Sequence, residues 1–100
     1  MNGEFTQARK SRKRKNQDRY IDFGLKMWFD LNKEEPFTVR EILSISIDNK
    51  DKYEGKTNFK NMPSVYLASR YISILPFITK VNDKGYWKID GDKYVMDRKV

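Results

Sequence analysis

Cysteine and histidine are both missing from these 100 residues. Without cysteine there is no disulfide and no thiol chemistry, and without either residue nearly every zinc-site pattern is excluded. The commonest general base of nucleophilic catalysis goes with histidine. No apolar run approaches the roughly 18 residues that a membrane span needs, and the amino end lacks the apolar stretch of a signal peptide. Hydrophobic residues make up only 38% of the chain against 35% charged, so a single modest core is what it can build. The lack of cysteine suits a reducing compartment, and the expected setting is intracellular: cytoplasmic, nucleoid-associated or nuclear.

Acidic residues are present but poorly grouped for catalysis. Asp90 and Asp92 flank Gly91, and Asp48 and Asp51 sit in a polar loop. A metal-dependent nuclease needs several acids converging on a divalent ion. Here the acids mostly alternate with lysines, as on a solvated surface. No enzyme activity, cofactor, metal, membrane contact or small-molecule substrate is expected.

Positive charge is what the chain has in excess, at a net +7. Residues 1–16 hold Arg9, Lys10, Arg12, Lys13, Arg14 and Lys15 against one acid, Glu4, and so carry five of those seven charges. So dense a run of like charge with few apolar side chains reads as a disordered basic arm. The domain proper is expected over residues 17–96, with a frayed end at 97–100.

Helical periodicity begins near Asp18. Ile21, Leu25, Trp28 and Phe29 fall on one face, and Tyr20, Phe23 and Met27 widen it. Asp22, Lys26 and Asp30 form an i, i+4 ladder on another face. This first helix should end near Asn32. The second has the sharpest start signal: Thr38 and Glu41 as a capping box, with Phe37 and Ile42 as a hydrophobic staple. Val39, Ile42 and Leu43 form its core stripe, and it should end near Ser46. Residues 48–60 are polar and read as a long loop anchored by Tyr53 and Phe59.

A third helix is expected from about Met62, capped by Asn61, with Pro63 in its first turn and Pro76 as its stop. Val65, Ala68, Tyr71, Ile72 and Leu75 share its inner face. Tyr66, Ser69, Arg70 and Ser73 face the other way. Two strands, Phe77 to Val81 and Tyr86 to Ile89, then flank Asn82-Asp83-Lys84-Gly85, where Gly85 can take a positive φ. Pairing Val81 with Tyr86 sets Ile78 opposite Ile89 and Lys80 opposite Trp87, with Ile78, Trp87 and Ile89 inward and Thr79 and Lys88 outward. Asp90-Gly91-Asp92 reads as a turn and Tyr94-Val95-Met96 as a short strand.

From Asp18 to Ile89 this order of elements resembles the winged helix-turn-helix family. The likeness rests on Pro36 to Ile42 as short strand and capped second helix, on the Ser/Tyr/Arg-bearing helix that ends in Leu75-Pro76-Phe77-Ile78, and on the hairpin Thr79 to Ile89. The family joins its second and third helices by a short turn, whereas residues 48–60 intervene here. The resemblance implies an α+β fold of three helices followed by a β-hairpin wing. It also implies a third helix that enters the major groove of duplex DNA.

On that helix Arg70 is the one charged residue, and arginine can donate two hydrogen bonds to a guanine edge. Tyr66, Ser69 and Ser73 are its companions at the base edges or phosphates; the competing reading of Arg70 is a solvated helix position. On the hairpin Lys80, Asn82, Lys84 and Lys88 suit a phosphate backbone, although lysines on strands also guard an edge against pairing. Loop residues Lys50, Lys52, Lys56 and Lys60 are further phosphate candidates, offset by Asp48, Asp51 and Glu54. Each arm cation that neutralises a phosphate adds about −0.9 to the slope of log affinity against log salt. A localisation signal or a solubilising run is the competing reading of the arm.

The expected function is duplex DNA binding, sequence-specific or general, as a transcriptional regulator or DNA-binding accessory factor. A homodimer through the apolar excess of the first helix is a further expectation. The alternatives are a protein-interaction module of a larger complex, with Leu67 and Ile74 against the partner, and a binder of structured RNA.

Overall fold

Four α-helices and a three-stranded antiparallel sheet make up the computed structural model, which describes residues 12–53 and 62–98. Helix α1 spans Arg12–Asn32. Its apolar residues lie all round the second half of the helix: Tyr20, Ile21, Phe23, Leu25 and Met27 are all buried, while Leu31 is 65% exposed. The helix starts earlier than the periodicity near Asp18 suggests, so the backbone of residues 12–16, assigned to the arm, is helical. The remainder of the arm, Arg9 and Lys10 included, lies outside the described residues.

Lys33 ends α1 in the left-handed region, φ 55°, with its N–H donating to the Phe29 carbonyl at 2.9 Å. Strand β1, Phe37–Thr38, leads directly into α2, Val39–Asp48. The capping box is formed in full. Glu41 N–H donates to Thr38 Oγ1 at 3.3 Å, and Thr38 N–H donates to Glu41 Oε1 at 2.8 Å. Phe37 and Ile42, the staple pair, are both wholly buried. The helix runs two residues past the expected end at Ser46. A 3₁₀ turn, Lys50–Lys52, follows, and Tyr53 then packs edge-on against Phe23 at 5.1 Å. Phe59 and Asn61 lie outside the described residues.

Helix α3, Val65–Ser73, begins later than expected because Ser64 is the cap, its hydroxyl accepting from Leu67 N–H at 3.2 Å. Pro63 therefore precedes the cap instead of sitting in the first turn, and Val65 stands 37% exposed instead of joining the core stripe. Ala68 and Ile72 hold that stripe at full burial, with Tyr71 and Leu75 packed beside them. Only Ile74 to Phe77 separate α3 from β2, Ile78–Lys80.

Strand β3, Tyr86–Ile89, is central, in the order β1-β3-β2. The hairpin register is the expected one: Ile78 faces Ile89, Thr79 faces Lys88 and Lys80 faces Trp87. Gly85 takes φ +93° in the turn, where a β-carbon would be strained. On its other edge β3 pairs Trp87 with Phe37 and Tyr86 with Thr38, tying the hairpin to the root of α2.

The carboxyl end departs most from expectation. Residues 91–98 form a fourth helix, α4 (Gly91–Arg98), where a turn and a short strand were read and where fraying was set at 97. Asp90 starts it: its Oδ1 accepts from Lys93 N–H at 3.3 Å and its carbonyl from Tyr94 N–H at 2.9 Å. Tyr94 then swings inward against Phe29 and Phe77, each ring centre 5.0 Å away. A three-residue apolar run cannot separate helix from strand by period alone; the capping carboxylate decides it.

Helices α1 and α2 cross at Gly24. A β-carbon placed there would lie 2.5 Å from the Ile42 carbonyl oxygen and 2.8 Å from its Cγ2. Beside the crossing, buried Ser46 Oγ donates to the Tyr20 carbonyl at 2.8 Å. Gly24→Ala gains about 1 kcal/mol of helix propensity but forces the helices apart at a cost of about 1–3 kcal/mol. A net loss of up to about 2 kcal/mol is expected in denaturant unfolding.

Burial, together with the Asp48 carboxylate, pushes the Tyr20 phenol from 10.0 up to about 12. The folded state thus holds this proton more tightly than the unfolded chain. Its contribution is complete below the unfolded value of 10.0 and is lost as pH rises toward about 12. Thermal midpoints measured at pH 9 and 11 should fall on the alkaline side, and fall less in Tyr20→Phe.

Candidate nucleic-acid interface

The face of α3 that turns from the core is set by its inner one. With Ala68 and Ile72 wholly buried, the opposite side carries Tyr66, Arg70 and Ser73 into solvent. Tyr66 is 67% exposed, an unusual position for so large a ring. The Arg70 guanidinium lies over it, 5.7 Å from the ring centre, a cation–π arrangement. Among the described residues Arg70 makes no ion pair with a carboxylate.

The two serines contribute less than their position suggested. Ser69 is half-buried, and the Ser73 hydroxyl donates to the Arg70 carbonyl at 2.8 Å, closing the end of the helix. Ile74, which the sequence placed on a flank, is instead 73% exposed at the helix exit. It continues the row Tyr66, Arg70, Ile74 at i, i+4 and i+8.

Next to this row, Tyr71 is tied inward. Its hydroxyl donates to Asp22 Oδ1 at 2.8 Å, joining α3 to α1 across a part-buried contact. Lys26, a neighbour of Asp22 on α1, pairs with Asp30 at 3.1 Å as the ladder implied. A cleft of about 420 Å³ runs between the start of α1 and the flank of α3, lined by Asp18, Ile21, Leu67, Arg70 and Ile74 among others.

The hairpin presents its cations unevenly. Lys80, Lys84 and Lys88 are all exposed, but Lys80 pairs with Asp83 at 3.3 Å. Lys80 and Lys88 stand one residue out of register across the ribbon, so alternation sends them to opposite faces. Asn82 works within the turn, its Oδ1 accepting from Lys84 N–H at 2.8 Å. Tyr86, 40% exposed, shares the outer face with Lys88.

Of the arm, Arg12, Lys13, Arg14 and Lys15 lie on the first turns of α1; Arg9 and Lys10 are outside the described residues. Lys50 and Lys52 are exposed on the 3₁₀ turn beside Asp51, while Lys56 and Lys60 are not among the described residues. No helix of the described residues is long and apolar enough to cross a membrane.

Compared with models of protein families, with curated proteins and with solved structures, the chain matches none.

The contact from Tyr71 to Asp22 holds α3 at one rotation about its axis. Tyr71→Phe removes the donor and should lower stability by about 1 kcal/mol, read from a denaturant midpoint at unchanged slope.

Proposed function

We propose that this chain is a winged helix-turn-helix protein that binds duplex DNA, acting as a transcriptional regulator or DNA-binding accessory factor. The observation that carries the reading is α3 itself: buried on one side by Ala68 and Ile72, it offers Tyr66 and an arginine free of any described carboxylate on the other. A single helix fits the major groove of B-DNA, about 12 Å wide, and Arg70 has the geometry to donate to a guanine edge.

The order of elements supports the fold half of the proposal. β1 leads into a capped α2, α3 follows, and an antiparallel hairpin closes back on β1. The residues between α2 and α3 and the added helix α4 are departures from the plainest form of that family. Lys84 at the hairpin tip and Lys88 on the outer face are the wing residues suited to a flanking backbone, with Lys80 shared with Asp83. Arg9, Lys10, Arg12, Lys13, Arg14 and Lys15 supply the salt-sensitive part of the affinity.

A second reading, a protein-interaction module, draws on the cleft beside α3. Ile21, Leu67 and Ile74 give it an apolar lining, and Ile74 is largely uncovered by its own chain.

Because α1 starts at Arg12, the arm is best tested by charge removal in the full chain instead of truncation. Binding to random duplex DNA is titrated with salt for the wild type, for a variant with all six arm cations changed to Gln, and for Arg70→Ala. The Gln variant should lose up to about 5 units of the log–log slope, while Arg70→Ala should lower sequence discrimination at an almost unaltered slope. No retention of duplex DNA at 50 mM salt overturns the proposal, as does tighter binding to duplex RNA of equal length.

A further inference from the structure

The row Tyr66, Arg70, Ile74 is chemically mixed, and each member is left in solvent for a different use. Tyr66 is 67% and Ile74 73% exposed, and the Arg70 guanidinium lies over the Tyr66 ring. Ile74 keeps helical backbone angles, φ −98° and ψ −2°, so it continues the line of the helix after its last full turn. Its neighbour Leu75 packs against the core, whereas Ile74 stands at the rim of the cleft beside α1. A single exposed aliphatic residue is ordinary. One aligned at i+4 with a guanidinium free of any described carboxylate is a matched pair for a groove edge.

The edges of two bases answer that pair. Guanine presents the O6 and N7 acceptors that a guanidinium bridges, and thymine is the base that puts a methyl group into the major groove. Four helical residues advance about 6 Å. Successive base pairs are about 3.4 Å apart along the duplex axis, so the two contacts fall on the order of one or two base pairs apart.

We infer that α3 reads a guanine and a thymine at that separation, Arg70 donating to the guanine edge, Ile74 packing on the thymine methyl and Tyr66 acting as a positioning residue. The inference rests on the duplex DNA reading above and extends it to the bases chosen. Tyr66 acts through Arg70: its ring face restricts the guanidinium to one side before any duplex arrives, which lowers the entropy lost on binding. That role needs the aromatic face and not the hydroxyl.

The full chain is used to select from a random-sequence duplex pool at 100 mM salt, and the enriched duplex is then remade with deoxyuridine in place of thymidine. Enrichment of guanine and thymine one or two base pairs apart is expected. Loss of the methyl should weaken wild-type binding about fourfold, the worth of one buried carbon. Ile74→Ala should bind both duplexes alike, and Arg70→Ala should lose the guanine preference. Tyr66→Phe should keep that preference and Tyr66→Leu reduce it.

Binding without enrichment, or enrichment that Arg70→Ala and Ile74→Ala leave untouched, overturns the inference while duplex binding itself stands. A guanine preference equal in Tyr66→Leu and wild type removes Tyr66 from it. A wild-type chain that retains no duplex even at 50 mM salt overturns the functional proposal, and this inference with it.

Discussion

At Gly24 the first helix meets the second backbone to backbone. A β-carbon there would overlap the Ile42 carbonyl oxygen, and a few residues away a buried serine hydroxyl donates to the Tyr20 carbonyl. Such closeness lets short side chains fill the seam, and it places Ile21, Leu25, Ile42 and Leu43 in one layer. Helix α3 then closes onto that pair through Ala68, again a small residue, and Ile72, both without solvent exposure. Once those two positions are inward, the outward ones follow from the 100° step of the helix. The presentation of Arg70 is therefore a consequence of a glycine nearly fifty positions earlier in the chain.

The parts of the fold that were legible in the sequence are those whose cause is local. Thr38 and Glu41 specify α2 by themselves, since each satisfies the other's backbone donor. The hairpin register follows from Gly85 and from alternation of Ile78 and Ile89 with Thr79 and Lys88. What the sequence concealed depended on competing caps. Ser64 caps α3 at its start, and Asp90 turns a run that reads as turn and strand into α4. The crossing at Gly24 was also hidden, because a lone glycine in a helical pattern says nothing of which backbone lies against it. At the site, the outward position of Arg70 and the flank position of Ile74 were legible from their period, whereas the turn-forming use of Asn82 was not.

Charge and geometry are divided between different parts of the chain. Five of the seven net positive charges lie in residues 1–16, where they set long-range attraction but carry no shape information. The hairpin holds fewer uncommitted cations than its composition suggests, with Lys80 turned toward Asp83 and away from the face of Lys88. A pair so exposed to solvent is weak, so Asp83 holds Lys80 only loosely.

Helix α3 keeps its two neighbours, Arg70 and Tyr71, for opposite purposes. Tyr71 reaches inward to Asp22 of α1, and that hydrogen bond resists rotation of α3 about its axis. A turn of one residue would swing each side chain by about 100°, carrying Tyr66 and Arg70 off the face they now occupy. The inward tether thus fixes what the outward row presents, and it does so from the first helix, whose amino end bears the basic arm. Contacts that draw the arm onto a charged partner act on the same rigid rod that holds Asp22. On the proposed reading, in which α3 recognises duplex DNA, loss of the Tyr71 hydroxyl bears on recognition as well as on stability, because the tether sets which side chains α3 presents.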